Sequence, residues 1–134
     1  MNRSSTMEFL EWKTPISNAE SLTLEALCRY GGLQIIADTS AVRAAGERWK
    51  FTFDKTPAYR SIQETYRSDL WGMIDRQKIG RTFIIVNSPF VLELAASDHL
   101  FSTLCRKLSH YVIPSDDEVF EVLSESLPTI ERLY

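Results

Sequence analysis

The residues with the widest chemical range in this chain are two histidines, two cysteines and a scatter of carboxylates and arginines. His99 and His110 are able to serve as general bases or metal ligands, because imidazole changes charge near neutral pH. They fall on what read as different elements, though, and Cys28 and Cys105 lie far apart with no zinc-ligand spacing. Cys105 and His110 are close enough in sequence to suggest a thiol with a base. A helix followed by a strand need not bring the two side chains together. The sequence contains no G-x-S-x-G elbow, no Walker loop and no G-x-G-x-x-G, and Gly31-Gly32 lacks the lysine and hydroxyl that cradle a phosphate. No catalytic residue is assigned, and no cofactor is expected.

Asp116, Asp117 and Glu118, with Glu121 nearby, offer the oxygen ligands that a hard cation takes. Their spacing does not match a calcium loop, and no glycine permits its sharp bend. Aspartates are also what turn geometry selects between two strands, so no metal site is assigned here.

Arg60, Glu64, Arg67 and Asp69 form a charged set where a strand gives way to a helix. Guanidinium groups grip carboxylates and phosphates through two hydrogen bonds at once. With Tyr66 and His110, Arg60 and Arg67 are therefore the candidate ligand-binding group, provided that a pocket lies between sheet and helices. Internal pairing of Glu64 with Arg60 or Arg67 is the simpler account. Trp12 and Trp71 are candidate partner anchors if exposed, since tryptophan dominates interface hot spots. The acidic residues Asp116, Asp117 and Glu118 complete that candidate contact set; core packing is the competing role for the tryptophans.

These groups need a scaffold, and its clearest signature is alternation. In residues 47–54, Trp49, Phe51 and Phe53 fall on one side while Lys50, Thr52 and Asp54 fall on the other. Successive side chains of a strand point to opposite faces, so this segment reads as a strand with one dry face. Further strands are expected at 7–13, 33–37, 59–65, 82–86, 110–113 and 118–123. Thr82 to Val86 is apolar on both faces, as in a central strand covered on both sides. Residues 21–30 carry both a period of two and a helical stripe with a capping box, Ser17 to Glu20. Gly31-Gly32 followed by renewed alternation favours a hairpin.

Helices are expected at 66–74 on a period near four, from Ser88 with Pro89 at the first helical position, and at 100–108. A last helical turn is expected over 127–134 behind Pro128, while 39–46 reads as a connection rich in small residues. The expected fold is α+β: a single domain spanning 1–134, with residues 1–6 flexible. Its twisted, mostly antiparallel sheet has six to eight strands, with two or three short helices on one face. Trp49, Phe51, Phe53, Phe83 and Ile85 are expected to share the shielded side of one layer.

Composition narrows the function classes. At 134 residues, 44% hydrophobic and 25% charged, the chain is long enough to bury a core without metals or disulfides. A net charge of -3, from 18 acidic and 15 basic residues, argues against nucleic acid as partner. The densest basic group, Arg76, Lys78 and Arg81, reads as a solvated loop. No apolar stretch approaches the roughly 18 residues that cross a bilayer, and the polar start of the chain lacks a signal-peptide core. A cytoplasmic protein with free thiols is expected. Its expected function is non-enzymatic binding through protein–protein contacts or self-association, in the manner of a toxin-neutralising immunity protein or a regulatory partner. The alternative is a small enzyme or ligand-binding domain with its pocket near Arg60, Tyr66 and His110. No particular small-molecule ligand is indicated.

Overall fold

The computed structural model describes residues 8–19, 22–29, 32–39, 47–63, 67, 70, 72, 80–97 and 107–133. In chain order the elements are β1 (Glu8–Glu11), β2 (Thr23–Arg29), β3 (Gly32–Asp38), β4 (Arg48–Phe53), β5 (Ala58–Gln63) and β6 (Phe83–Val86). There follow α1 (Pro89–Ser97), β7 (Ser109–Pro114), β8 (Glu118–Ser124) and β9 (Thr129–Leu133). The strands form two antiparallel sheets, one in the order β1-β6-β7-β8-β5 and the other in the order β2-β3-β4-β9.

The two sheets bury their surfaces differently, and the sequence shows why. In β3 the buried and half-buried residues alternate, with Leu33, Ile35 and Ala37 turned inward. Phe51 and Phe53 of β4 lie opposite Ile35 and Leu33, so they share that face. Tyr111 and Ile113 of β7 and Phe120 and Val122 of β8 meet them from the other sheet. The ring of Phe53 lies 5.5 Å from that of Tyr111. Trp12, just past β1, closes the layer with its ring 5.9 Å from Phe51 and 4.9 Å from Tyr111. Each of these rings, taken out of water, contributes on the order of 1.5–3 kcal/mol before cavity effects are counted.

The opposite face of the five-stranded sheet carries a second core of Leu70, Phe83, Ile85, Val112 and Val119, with Phe9 against it. The centre of that sheet is therefore dry on both sides, as the unbroken burial of β7 and β8 shows, while its edge strands β1 and β5 stay partly exposed. Chain entry into this layer is fixed by hydroxyl groups. Thr82 Oγ1 donates to the Trp12 carbonyl at 2.6 Å and also meets Thr14 and Ser17.

The expected α+β arrangement is corrected: the fold is mostly β, with two sheets and one helix element among the described residues. Alternation reports whether a strand face is wet or dry, but not which strands pair. Strands with one dry face and strands with two thus read as parts of one sheet. For the same reason Trp49, Phe51 and Phe53 do not share a layer with Phe83 and Ile85; the latter belong to the second core. The expected helical turn over 127–134 is also corrected. Thr129–Leu133 is strand β9, with Ile130 opposite Phe51 and packed on the first core. Pro128 stands before the strand, where its missing N–H costs no ladder bond.

The other strands occur where expected, and Thr23–Arg29 is a strand paired along its length with β3. Gly32 already belongs to β3 opposite Arg29, so the connection is residues 30–31, which lie outside the described residues. Ser88 and Pro89 begin α1 as expected, with Ser88 Oγ accepting the Val91 N–H at 3.2 Å. Also outside the described residues are the flexible start at 1–6, the connection 40–46, the helix expected at 100–108, most of the one at 66–74, and Arg76 and Lys78.

Candidate functional site

The second face of the five-stranded sheet also carries a dense charged cluster. It is assembled by register. Arg60 of β5 lies directly opposite Glu121 of β8, and His110 of β7 is the diagonal neighbour of Glu121 across the next pair. Asn87, at φ 58°, turns the chain from β6 into α1 in a left-handed conformation that asparagine tolerates. That turn leaves Ser88 as the helix cap above His110. Phe90, one turn into α1, covers the group. The Arg60 guanidinium sits 4.1 Å from its ring centre, and the His110 ring meets it edge-on at 5.6 Å.

Glu121 is wholly buried, and both of its oxygens are saturated. Oε2 accepts from Arg60 Nε at 3.2 Å and from Arg67 Nη1. Oε1 accepts from Arg60 Nη2 at 3.2 Å and from His110 Nε2 at 2.8 Å. Burial alone pushes this carboxyl up. The His110 and Arg60 hydrogen bonds and the Arg67 and Arg60 charges outweigh that cost and hold it down at about 2. An ionised carboxylate only accepts, so Nε2 carries a proton. On the far side of the ring, Nδ1 lies 2.6 Å from Ser88 Oγ. With the proton on Nε2, Nδ1 of the neutral ring only accepts, so the Ser88 hydroxyl donates to it while Oγ accepts from the Val91 N–H.

Serine, imidazole and carboxylate thus stand in the contact order of a hydrolase triad, with the two ring nitrogens exchanged relative to the usual arrangement. Three features set it apart from working machinery. Ser88, His110 and Glu121 are only 6%, 2% and 0% exposed, so the array presents almost no surface to solvent. The carboxylate that would orient the imidazole is already taken up by two guanidinium groups, with Arg60 and Arg67 bonded to its oxygens beside His110. Ser88 Oγ is also committed to capping α1. A cavity of about 350 Å³ lined by Ile84, Ile85, Val86, Asn87, Ser88 and Val91, among others, runs beside the serine without reaching Arg60, His110 or Glu121.

The structure brings together Arg60, Arg67 and His110 of the expected ligand-binding group; Tyr66 and Trp71 lie outside the described residues. Glu64 and Asp69, and with them His99 and Cys105, lie outside as well. Trp12 is 8% exposed and belongs to the first core, so it does not offer its ring to a partner. The acidic turn is held by its own chemistry. Ser115 Oγ accepts from the N–H groups of Asp117 and Glu118, and Asp116 fastens the turn to β2 and to Arg81. Asp116 Oδ2 accepts from the Leu22 N–H at 3.3 Å, and Glu118 accepts from Ser61 Oγ at 2.6 Å. Among the described residues no group of three His, Cys, Asp or Glu side chains is placed to hold a metal.

Two members of the cluster are not expected from sequence, Ser88 beyond its capping role and Glu121 as a pairing centre. A signal for Glu121 exists. It is a lone carboxylate inside a strand whose neighbours Val119, Phe120, Val122 and Leu123 are apolar on both faces, and a charge in that setting must be paired.

Comparison with known proteins finds no family, no curated protein and no solved structure that matches the chain. Among the described residues no helix is long and apolar enough to cross a membrane.

Proposed function

We propose that this chain is a small non-enzymatic binding protein that works through protein–protein contacts. The observation that supports this reading is the burial of the Ser88–His110–Glu121 array. The group with the geometry of catalysis is almost wholly buried, charge-saturated and built into the layer that holds α1 on the sheet. The exposed large apolar side chains Leu10, Leu27, Tyr59, Leu92 and Leu127 lie on the surface, where a partner can reach them. An immunity-type or regulatory role is one form that such binding takes.

Two measurements test the reading together. Hydrolysis of p-nitrophenyl esters by the intact protein is expected to match that of Ser88→Ala. The protein encoded beside this one is expected to bind it in a purified calorimetric titration. Ester turnover that vanishes in Ser88→Ala while the fold persists would overturn the proposal. A second reading, a binding site for a small apolar ligand, is favoured by the cavity under α1. It predicts displacement of a fluorescent hydrophobic probe by a compound that fills that space.

A further inference from the structure

Each sheet ends in two edge strands, and three of the four edges carry the features that keep edges from pairing. β1 is only four residues long. β9 bears Glu131 and Arg132, engaged with Lys50 at 3.2 Å and Glu47 at 3.8 Å. β5 follows Pro57 and holds Arg60 in the buried cluster. β2 differs. It is seven residues long and pairs with β3 at every position without a bulge. Glu25, Ala26, Leu27 and Cys28 are exposed in succession, although neighbours in a strand point to opposite faces. Over residues 25–28 both faces of this strand are therefore open, while Leu24 packs on the first core, and among the described residues no strand pairs with its outer edge. Leu27 alone is 53% exposed.

We infer that β2 is the self-association edge of this protein, and that its partner is β2 of a second copy, paired antiparallel about a two-fold axis through Ala26. The strand's own sequence favours a copy of itself. About Ala26, Leu24 falls opposite Cys28 of the second copy and Glu25 opposite its Leu27, so no like charges meet. Alanine on the axis lets the two backbones approach without a side-chain clash. Two four-stranded sheets then become one continuous sheet of eight, the isologous arrangement that closes rather than growing into a fibre. An interface made chiefly by one strand pair falls below the ~1,200 Å² of standard complexes, so the dimer is weak and depends on concentration. This inference rests on the reading of the chain as a contact protein and names the contact.

Sedimentation equilibrium on the intact protein over a roughly hundredfold concentration series reaching about 1 mM tests it. The weight-average mass is expected to climb from monomer toward dimer. Ala26→Lys places two ammonium groups opposite each other on the axis and is expected to stay monomeric, with its far-UV circular dichroism unchanged because Ala26 is exposed. Ala26→Glu is expected to do the same alone, and an equimolar mixture of the two is expected to recover association as a heterodimer. A wild-type monomer throughout the series overturns the inference. So does an Ala26→Lys chain that dimerises like wild type, or a mixture that stays monomeric. Any of these with tight binding of the adjacently encoded protein retained leaves the proposed function standing while removing this contact.

Discussion

Arg60 and Glu121 face each other across the β5–β8 pair, and one guanidinium grips both oxygens of a carboxylate that has no exposure to water. Register alone makes the meeting possible; Arg67 and His110 make it affordable, by supplying the donors that burial would otherwise withhold. The cluster does for the helix-covered face what the aromatic rings do for the face between the sheets: it fixes which elements touch.

Removing the carboxylate leaves two guanidinium groups and an imidazole N–H without their acceptor. Glu121→Ala is expected to lose roughly 3–5 kcal/mol of unfolding free energy, the loss seen when one partner of a buried ion pair is deleted. Urea denaturation with an unchanged m-value checks this, and a loss below about 1 kcal/mol would show that the cluster is open to water.

Acid sensitivity follows from the same group. Glu121 titrates at about 2 when folded, below its ordinary value of 4.5. A depressed folded value means that the stabilisation is fully present above the unfolded pKa and is lost as pH falls through the folded one. Stability is thus expected to fall between about pH 4.5 and 2 by on the order of 3 kcal/mol from this residue. In Glu121→Gln that share of the acid slope disappears, as measured by unfolding free energy against pH.

Ser88 caps α1 and bonds His110. Ser88→Ala is expected to cost about 1–2 kcal/mol, which thermal unfolding will show. Because the serine has no catalytic role in this account, a stability loss without any change in ester hydrolysis is the expected pair of results.

β9 provides a test of the corrected C-terminus. Ile130 sits opposite Phe51 and packs on the first core, so Ile130→Lys is expected to destabilise by about 2–4 kcal/mol. Tolerance of that lysine would mean that the segment does not close the four-stranded sheet.

Much of this fold is legible in the residues. The alternation of β3 and β4, the two-sided apolar run of β6, the aspartate turn between β7 and β8, and the Ser88-Pro89 helix start each follow from local chemistry. Partition into two sheets does not, because Phe51 and Phe83 are equally apolar and nothing local tells which layer receives each ring. β9 misleads because Pro128 is as compatible with a helix start as with a strand entry. The cluster was half visible. Arg60, Arg67 and His110 stand out by type, but the acceptor that unites them sits among apolar neighbours, and its role depends on a pairing that only the folded sheet supplies.

The most direct measurement is the nitrogen-15 spectrum of the His110 ring together with the exchange rate of its N–H. The account predicts that Nε2 carries the proton and Nδ1 accepts from Ser88. It also predicts a ring N–H in slow exchange with water, sheltered by Phe90 and bonded to Glu121. A ring proton exchanging as fast as that of an exposed histidine, or one residing on Nδ1 in the neutral ring, would contradict it.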